Sequence, residues 1–446
     1  MKRTLFTSSF KRIVSVIAVV AITLFMVSKI SFILENKTSY KNYASFFSKE
    51  EDYDVLFVGS SHVRYGFYPM ELWKQYGITS YNLAGDASTL PVDYWILKQA
   101  FHYHVPKVIV LDVYDCAPNA IVYRWEHVHD STGAFPISLD KIRMVRDLAR
   151  NPEWVDGMGE PTEVKWDMVF KIAEYHERWS KLGPTDFDTY QMIKEQSEVR
   201  KGAKPLTEIA VREAKVYPEV IDAKYDETSK EYLEKIIELC SQKGCQVLLV
   251  NTGYDCNEAA KLFADSVPEI ADKYNLEYYD FTNMDLINFD CDLQTTGDNT
   301  HVNASGGVKF SKFIGDVLVN NYQIQDHRED PSCAKWHDDY NSYVGYIEDT
   351  LKGISSFDEY LELLYGWDYD ITVDIYDEAF LQEGANKPIL ENLGVDVSRI
   401  SDGTEIVLRD GSEAEYTVIS ESSEGYRAKV TVYDSKNQRT VEEKSF

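Results

Sequence analysis

Asp54-Val55-Leu56-Phe57-Val58-Gly59-Ser60-Ser61-His62 is a short apolar run that stops abruptly in small residues. The run Val55 to Val58 is too short for a helix and rich in β-branched and aromatic types, which suits a strand buried inside a parallel sheet. The glycine and two serines that follow let the backbone turn sharply at the strand's carboxyl end. In open α/β sheets ligands bind in that crevice, so Ser61 is a candidate nucleophile. Gly-Ser-Ser is also an ordinary turn sequence, and a partner must decide between the two readings.

The partner lies far downstream, in Gly297-Asp298-Asn299-Thr300-His301-Val302-Asn303-Ala304-Ser305-Gly306-Gly307. This polar loop leads into a helix with apolar periodicity, carried by Val308, Phe310, Phe313, Ile314, Val317 and Leu318. Its Asp and His, three apart, suit an orienting carboxylate and a base. In a Ser/His/Asp triad the imidazole takes the serine proton, and the carboxylate fixes the tautomer and stabilises the imidazolium. Ser61, His301 and Asp298 are therefore the expected catalytic residues.

Around these two stretches, strands alternate with helices. Strand 54–58 precedes a helix from Pro69 to Tyr76, a strand from Ile78 to Leu83, a helix from Pro91 to Tyr103 and a strand from Val108 to Val113. Later come a helix from Thr228 to Lys243, a strand from Gln246 to Val250, a helix from Asn257 to Tyr274 and a strand from Leu276 to Phe281. The pattern predicts an α/β fold with a doubly wound parallel sheet over 54–322. Residues 117–225 form an insertion after the third strand, with helices expected at Ile137 to Leu148 and Lys165 to Leu182. Its position after a strand C-terminus places it beside or over Ser61. Within it, Tyr175-His176-Glu177-Arg178-Trp179 has two readings. His176 and Arg178 meet an acyl or glycan substrate, or the stretch is an amphipathic helix with Trp179 packed inward. His62 is expected as a pocket-wall or structural residue, since adjacent residues on a turn point apart, and Arg64 has the same two readings, orienting substrate or serving the structure.

The Gly-x-Ser after the first strand and the Asp-x-x-His before the last helix together resemble the SGNH (GDSL-like) hydrolases. The resemblance covers Asp54 to Tyr322. It implies a three-layer, flavodoxin-like sheet, and implies that the backbone N–H of Ser61 is one oxyanion donor. The family's second block is similar to Tyr81-Asn82-Leu83-Ala84-Gly85-Asp86, which would make the Gly85 N–H another donor. In the third block the family has Gly-x-Asn-Asp, whereas this chain reads Leu111-Asp112-Val113-Tyr114-Asp115. No Asn stands in the expected place, and Tyr114 is the candidate to replace it. Ser60 and the missing Asn resemble a membrane-anchored subgroup that includes the D-alanine transfer protein of lipoteichoic acid synthesis and alginate O-acetylation proteins.

The N-terminus suits a membrane-anchored chain. Lys2, Arg3, Lys11 and Arg12 precede an apolar stretch running from Ile13 to Leu34, interrupted near its end by Lys29. Its length suits an uncleaved single-pass anchor over residues 1–35, with the basic end cytoplasmic and the main domains extracytoplasmic. Residues 36–53 read as a stalk and Gln323 to Pro331 as a linker. Residues 334–446 read as an acidic α+β accessory domain, with 10 Lys and Arg against 25 Asp and Glu. The net charge of -28 argues against nucleic-acid partners. The six cysteines show no metal spacing, a Cys240–Cys245 disulfide stays open as an alternative to buried thiols, and no cofactor or metal is expected. The expected activity is that of a serine esterase or O-acyltransferase acting on cell-surface polysaccharide or related acyl esters. The resemblance implies a membrane-bound O-acyltransferase as partner. The alternative is a non-catalytic polysaccharide-binding or assembly protein on the same scaffold.

Overall fold

The computed structural model describes residues 2–35, 45–48, 51–114, 125–133, 135, 138–150, 166–169, 172, 175–184, 186–187, 199–210, 218, 227–253, 258–287, 301–409, 412–419 and 425–446. The apolar N-terminal stretch forms helix α1 (Lys2–Leu34), of which Phe10–Leu34 is long and apolar enough to cross a membrane.

The first sheet contains β1 (Val55–Gly59), β2 (Ser80–Ala84), β3 (Val108–Asp112), β4 (Gln246–Asn251) and β5 (Glu277–Asp280). Its order is β2-β1-β3-β4-β5, and every neighbouring pair is parallel. The apolar runs of β1 and β3 are buried throughout because both faces are covered. Side chains alternate between two cores. Val55, Phe57, Val108, Val110, Leu248 and Val250 pack on one face, and Leu56, Val58, Ile109, Leu111, Val247 and Leu249 on the other. The chain moves from β1 outward to β2, then back past β1 to β3, so the strand order reverses at β1. That reversal opens a crevice at the carboxyl end of β1.

Helices α2 (Ser61–Gly66), α3 (Pro69–Tyr76) and α4 (Leu90–Ala100) connect the first three strands. Within the insertion come α5 (Trp125–Thr132) and α6 (Leu139–Leu148). Of the helix expected over 165–182, the described residues form a 3₁₀ turn at Trp166–Met168, helical positions at Ile172 and Tyr175, and a 3₁₀ turn at His176–Lys181, and most of the rest lie outside the described residues. The end of the insertion returns to the sheet, where Asn82 donates its N–H to Lys201 O at 2.9 Å. Helices α7 (Glu227–Lys243) and α8 (Glu258–Tyr274) flank β4, and α9 (Ala304–Asn320) follows the His301 loop.

Beyond α9 the chain forms α10 (Ala334–Gly353), α11 (Phe357–Leu364) and α12 (Asn386–Asn392) beside a second sheet. That sheet comprises β6 (Asp370–Ile375), β7 (Thr404–Leu408), β8 (Glu415–Val418), β9 (Ala428–Asp434) and β10 (Arg439–Ser445), in the order β10-β9-β6-β7-β8 and antiparallel throughout. Alternate residues of β6 are buried, as expected of a sheet covered on one face. The apolar cluster containing Leu56 extends through Trp336 and Tyr360 to Val373, so the two sheets are joined by continuous packing.

At that junction the Lys201 ammonium, 1% exposed, lies 3.0 Å from Glu51 Oε2 and 2.6 Å from Asp339 Oδ2, with its charge over the Trp336 ring. Lys335 Nζ reaches the other Glu51 oxygen at 3.1 Å. One ion network thereby binds the residues before β1, the end of the insertion and α10. Burial alone would raise the Glu51 carboxyl, but the Lys201 and Lys335 charges outweigh it and hold the group down to about 2.

Candidate active site

Ser61 occupies the first position of α2, directly after β1. Gly59 makes the turn possible, because its φ is +152° and a Cβ there would stand 2.8 Å from Asp112 Cβ and 2.9 Å from Val63 Cγ2. Ser60 caps the short helix by accepting from the His62 N–H at 3.3 Å. At the other end, Asn82 Nδ2 donates to Val63 O at 3.2 Å and to Phe67 O at 2.8 Å. These contacts fix the six-residue helix at both ends, which its own length could not do.

Across the crevice, Ser61 Oγ lies 2.7 Å from His301 Nε2, although 240 positions separate the two residues in sequence. His301 is placed by the start of α9. Asn303 caps that helix through its side chain on the Gly306 N–H and also donates to Glu208 O at 3.3 Å. Ala304 N–H donates to Leu206 O at 2.7 Å, so the returning insertion runs beside the His301 loop. Glu362 of α11 accepts the Ser305 N–H at 2.7 Å. Burial pushes its carboxyl up to about 7, opposed by the Ser305 hydrogen bonds and the Lys309 charge. Asp298, expected to orient His301, lies outside the described residues.

An aromatic wall surrounds the pair. His62 is buried, with its ring 3.8 Å from the Tyr114 ring and 4.8 Å from that of His301, and Tyr65 meets His301 edge-on at 4.6 Å. Tyr114 can lie there because Gly253 has no side chain, since a Cβ would come within 1.6 Å of the Tyr114 ring. Beneath the wall, Asp112 accepts from the Tyr114 N–H at 3.2 Å, the Thr252 N–H at 3.1 Å and the Thr252 hydroxyl at 2.8 Å. Burial pushes Asp112 up to about 6 despite those bonds. A second buried acid, Asp93, is pushed up by burial to about 8 and accepts from Ser88 at 2.6 Å.

Three of the candidate residues are engaged within the protein. The Gly85 N–H, expected as an oxyanion donor, donates instead to Gly59 O at 3.1 Å. The β1–β2 register pairs Gly59 with Ala84, and this bond continues that ladder by one residue. Arg64 is buried, with its guanidinium held by Asp86 at 2.6 Å and Ala84 O at 3.1 Å, so its planar fork is already engaged within the protein. Arg178 donates to Leu34 O at 2.6 Å and to Asp186 at 2.8 Å. It serves the carbonyl end of α1, where the last turn lacks helical partners. His176 lies on the same turn and is exposed, and Trp179 is 59% exposed rather than packed inward.

Tyr65, Asn82, Asp112 and Asn303 were not picked out from the sequence. The spacing of Tyr65, four residues after Ser61 and hence one helical turn away, is the one signal that points to it. Cys240 and Cys245 are both free thiols. Comparison of the chain with known protein families, with curated proteins and with solved structures returns no match.

Proposed function

We propose that this chain is a membrane-anchored serine enzyme of the SGNH type that transfers acyl groups through an ester on Ser61. The observation that carries the reading is the 2.7 Å contact between Ser61 Oγ and His301 Nε2 at the carboxyl end of β1, where the strand order reverses. The sheet order 2-1-3-4-5 is also the flavodoxin-like order that such a fold requires.

In the proposed reaction His301 Nε2 accepts the Ser61 hydroxyl proton as Oγ attacks the ester carbonyl. The tetrahedral adduct collapses, the acyl–oxygen bond of the substrate breaks, and His301 returns the proton to the departing alkoxide. Water or a sugar hydroxyl then attacks the acyl-Ser61 ester with His301 again as base, giving hydrolysis or transfer. The Ser61 N–H, at the start of α2 and without a helical partner, supports the developing oxyanion. The substrate class we favour is an acyl ester on cell-surface polysaccharide, with a membrane-bound O-acyltransferase as partner. An N-terminal helix long and apolar enough to cross a membrane supports that choice.

The second reading, a polysaccharide-binding or assembly protein, is favoured by the commitment of the Gly85 N–H to Gly59 and by the absence of an Asn in the third block. Turnover of p-nitrophenyl acetate by the full-length chain in detergent separates the two. The enzyme reading predicts release that disappears in Ser61→Ala and His301→Ala, and acetylated product when a xylooligosaccharide is the acceptor. Release that is equal in wild type and both variants favours the binding protein.

A further inference from the structure

The segment joining α9 to α10 passes the amino end of β1, at the opposite end of that strand from Ser61. There His327, Asp330 and Cys333 bring one ligand atom each within 4.8 Å of one another. The spacing is built by the backbone, since the Asp330 N–H donates to His327 O and the Cys333 N–H donates to Asp330 O, both at 3.0 Å. Two successive turns thus gather side chains three residues apart.

The remaining contacts identify which atom of each residue faces the centre. His327 Nε2 lies 2.8 Å from Asp54 Oδ2, an oxygen shared with Lys107 at 2.9 Å. With Nε2 turned to the Asp54 carboxylate, Nδ1 is the ring atom that faces Asp330. That Nδ1 lies 3.8 Å from Asp330 Oδ2. The other Asp330 oxygen accepts from the Ser332 N–H at 2.9 Å and the Ser332 hydroxyl at 2.8 Å. An imidazole nitrogen, a carboxylate oxygen and a thiol outside any disulfide thus converge on one point, a donor set that suits a divalent cation.

We propose that His327, Asp330 and Cys333 bind a zinc-type divalent ion, with the fourth position open to water. Bonds of about 2.0–2.3 Å in tetrahedral geometry place ligand atoms about 3.4–3.7 Å apart. From the observed separations, closure needs shifts of about an ångström or less, within reach of side-chain rotation. The Asp54–His327 contact supplies the carboxylate behind the imidazole that orients metal-bound histidines. The segment is already tied to α3, through the His327 N–H on Gly77 O at 3.0 Å and Arg328 on Lys74 O at 2.9 Å. A metal here fixes the two turns of the segment between the two sheets and, by orienting His327, its contact with Asp54 at the base of β1, and its role is structural.

The test uses the full-length chain in detergent, stripped with chelator and kept reduced with a phosphine. Titration with Co²⁺ should saturate at one ion per chain, with a sulfur-to-cobalt absorption band that Cys333→Ser abolishes. Asp54→Asn should weaken Co²⁺ binding about 10–100-fold. Zn²⁺ should raise the melting temperature of the wild type and leave Cys333→Ser and Asp330→Asn unchanged, while the metal-free forms of all three melt alike. If Cys333→Ser alone melts early for want of its packing, Asp330→Asn carries the comparison. A stoichiometry of zero, a sulfur band that survives in Cys333→Ser, or no wild-type shift with Zn²⁺ overturns the proposal.

Discussion

Replacing Lys201 with Met removes the more deeply buried of the two ammonium groups, Lys201 and Lys335, that Glu51 and Asp339 share in the junction between the two sheets. The Met side chain can still lie against Trp336, where the Lys201 ammonium sits 4.6 Å from the ring centroid, so the loss is chiefly one of charge. Two nearby carboxylates then keep only Lys335, whose side chain is 44% exposed. Removing one member of a buried ion pair costs about 3–5 kcal/mol. An independent route starts from the Glu51 carboxyl, held at about 2 against an ordinary value of 4.5. That shift corresponds to about 3 kcal/mol at about 1.4 kcal/mol per pKa unit, before screening by partial exposure. With Lys335 retaining part of the effect, Lys201→Met should lose about 2–4 kcal/mol near neutral pH. The sign with pH is also fixed. A depressed carboxylate contributes stability above its unfolded pKa and loses it as pH falls toward the folded value. The deficit of Lys201→Met should therefore narrow as pH falls from 4.5 toward 2. Urea unfolding of the full-length chain, followed by tryptophan fluorescence, measures the deficit at each pH. A deficit under about 1 kcal/mol, or one as large near pH 3 as at neutrality, refutes the reasoning.

Other expectations follow from single contacts. Gly59→Ala forces a Cβ to 2.8 Å from Asp112 Cβ at a φ of +152°, and should lower stability by about 2–4 kcal/mol in the same unfolding assay. Gly253→Ala drives a Cβ into the Tyr114 ring. It should displace Tyr114 from His62 and reduce esterase turnover well beyond its effect on the melting temperature. Glu362→Ala leaves the buried Ser305 N–H without its acceptor and should cost about 1–3 kcal/mol. Burial raises the Glu362 carboxyl to about 7, so its contribution to stability is full below its ordinary value of 4.5 and declines as pH rises through 7. Glu362→Gln should flatten that decline in melting temperature measured across the range.

Strands β1, β3 and β4 were legible because each carries a continuous apolar run, the signature of burial on both faces, whereas β2, with Ser80 and Asn82, and β5, Glu-Tyr-Tyr-Asp, were legible from their place in the alternation of strands and helices. Helix α3 was legible at residue level, since Pro69 marks its start and Gly77 its end, with φ of +68° at the glycine. The pairing of Ser61 with His301 was legible from residue types and from their places after the first strand and before the last helix. The fate of Gly85 was not, because a backbone donor's availability depends on the register of a ladder that forms only in three dimensions. The engagement of Arg178 was hidden for a similar reason, as its partner Leu34 lies 144 positions away. In the C-terminal part, α10 was missed because its core face is carried by Trp336, Tyr343, Ile347 and Leu351 scattered among acidic residues. Strand β10, Arg-Thr-Val-Glu-Glu-Lys-Ser, is a partly exposed edge with little apolar alternation to betray it. His327, Asp330 and Cys333 looked like linker residues until two tight turns gathered them.

The most direct measurement of the central claim is covalent capture of the nucleophile. The full-length protein is treated with a fluorophosphonate, digested and mapped by peptide mass spectrometry, beside His301→Ala. The account predicts a stoichiometric adduct on Ser61 that forms far more slowly in His301→Ala, because the 2.7 Å contact that draws off the hydroxyl proton is gone. An unmodified Ser61 in the wild type, or labelling at the same rate without His301, contradicts it.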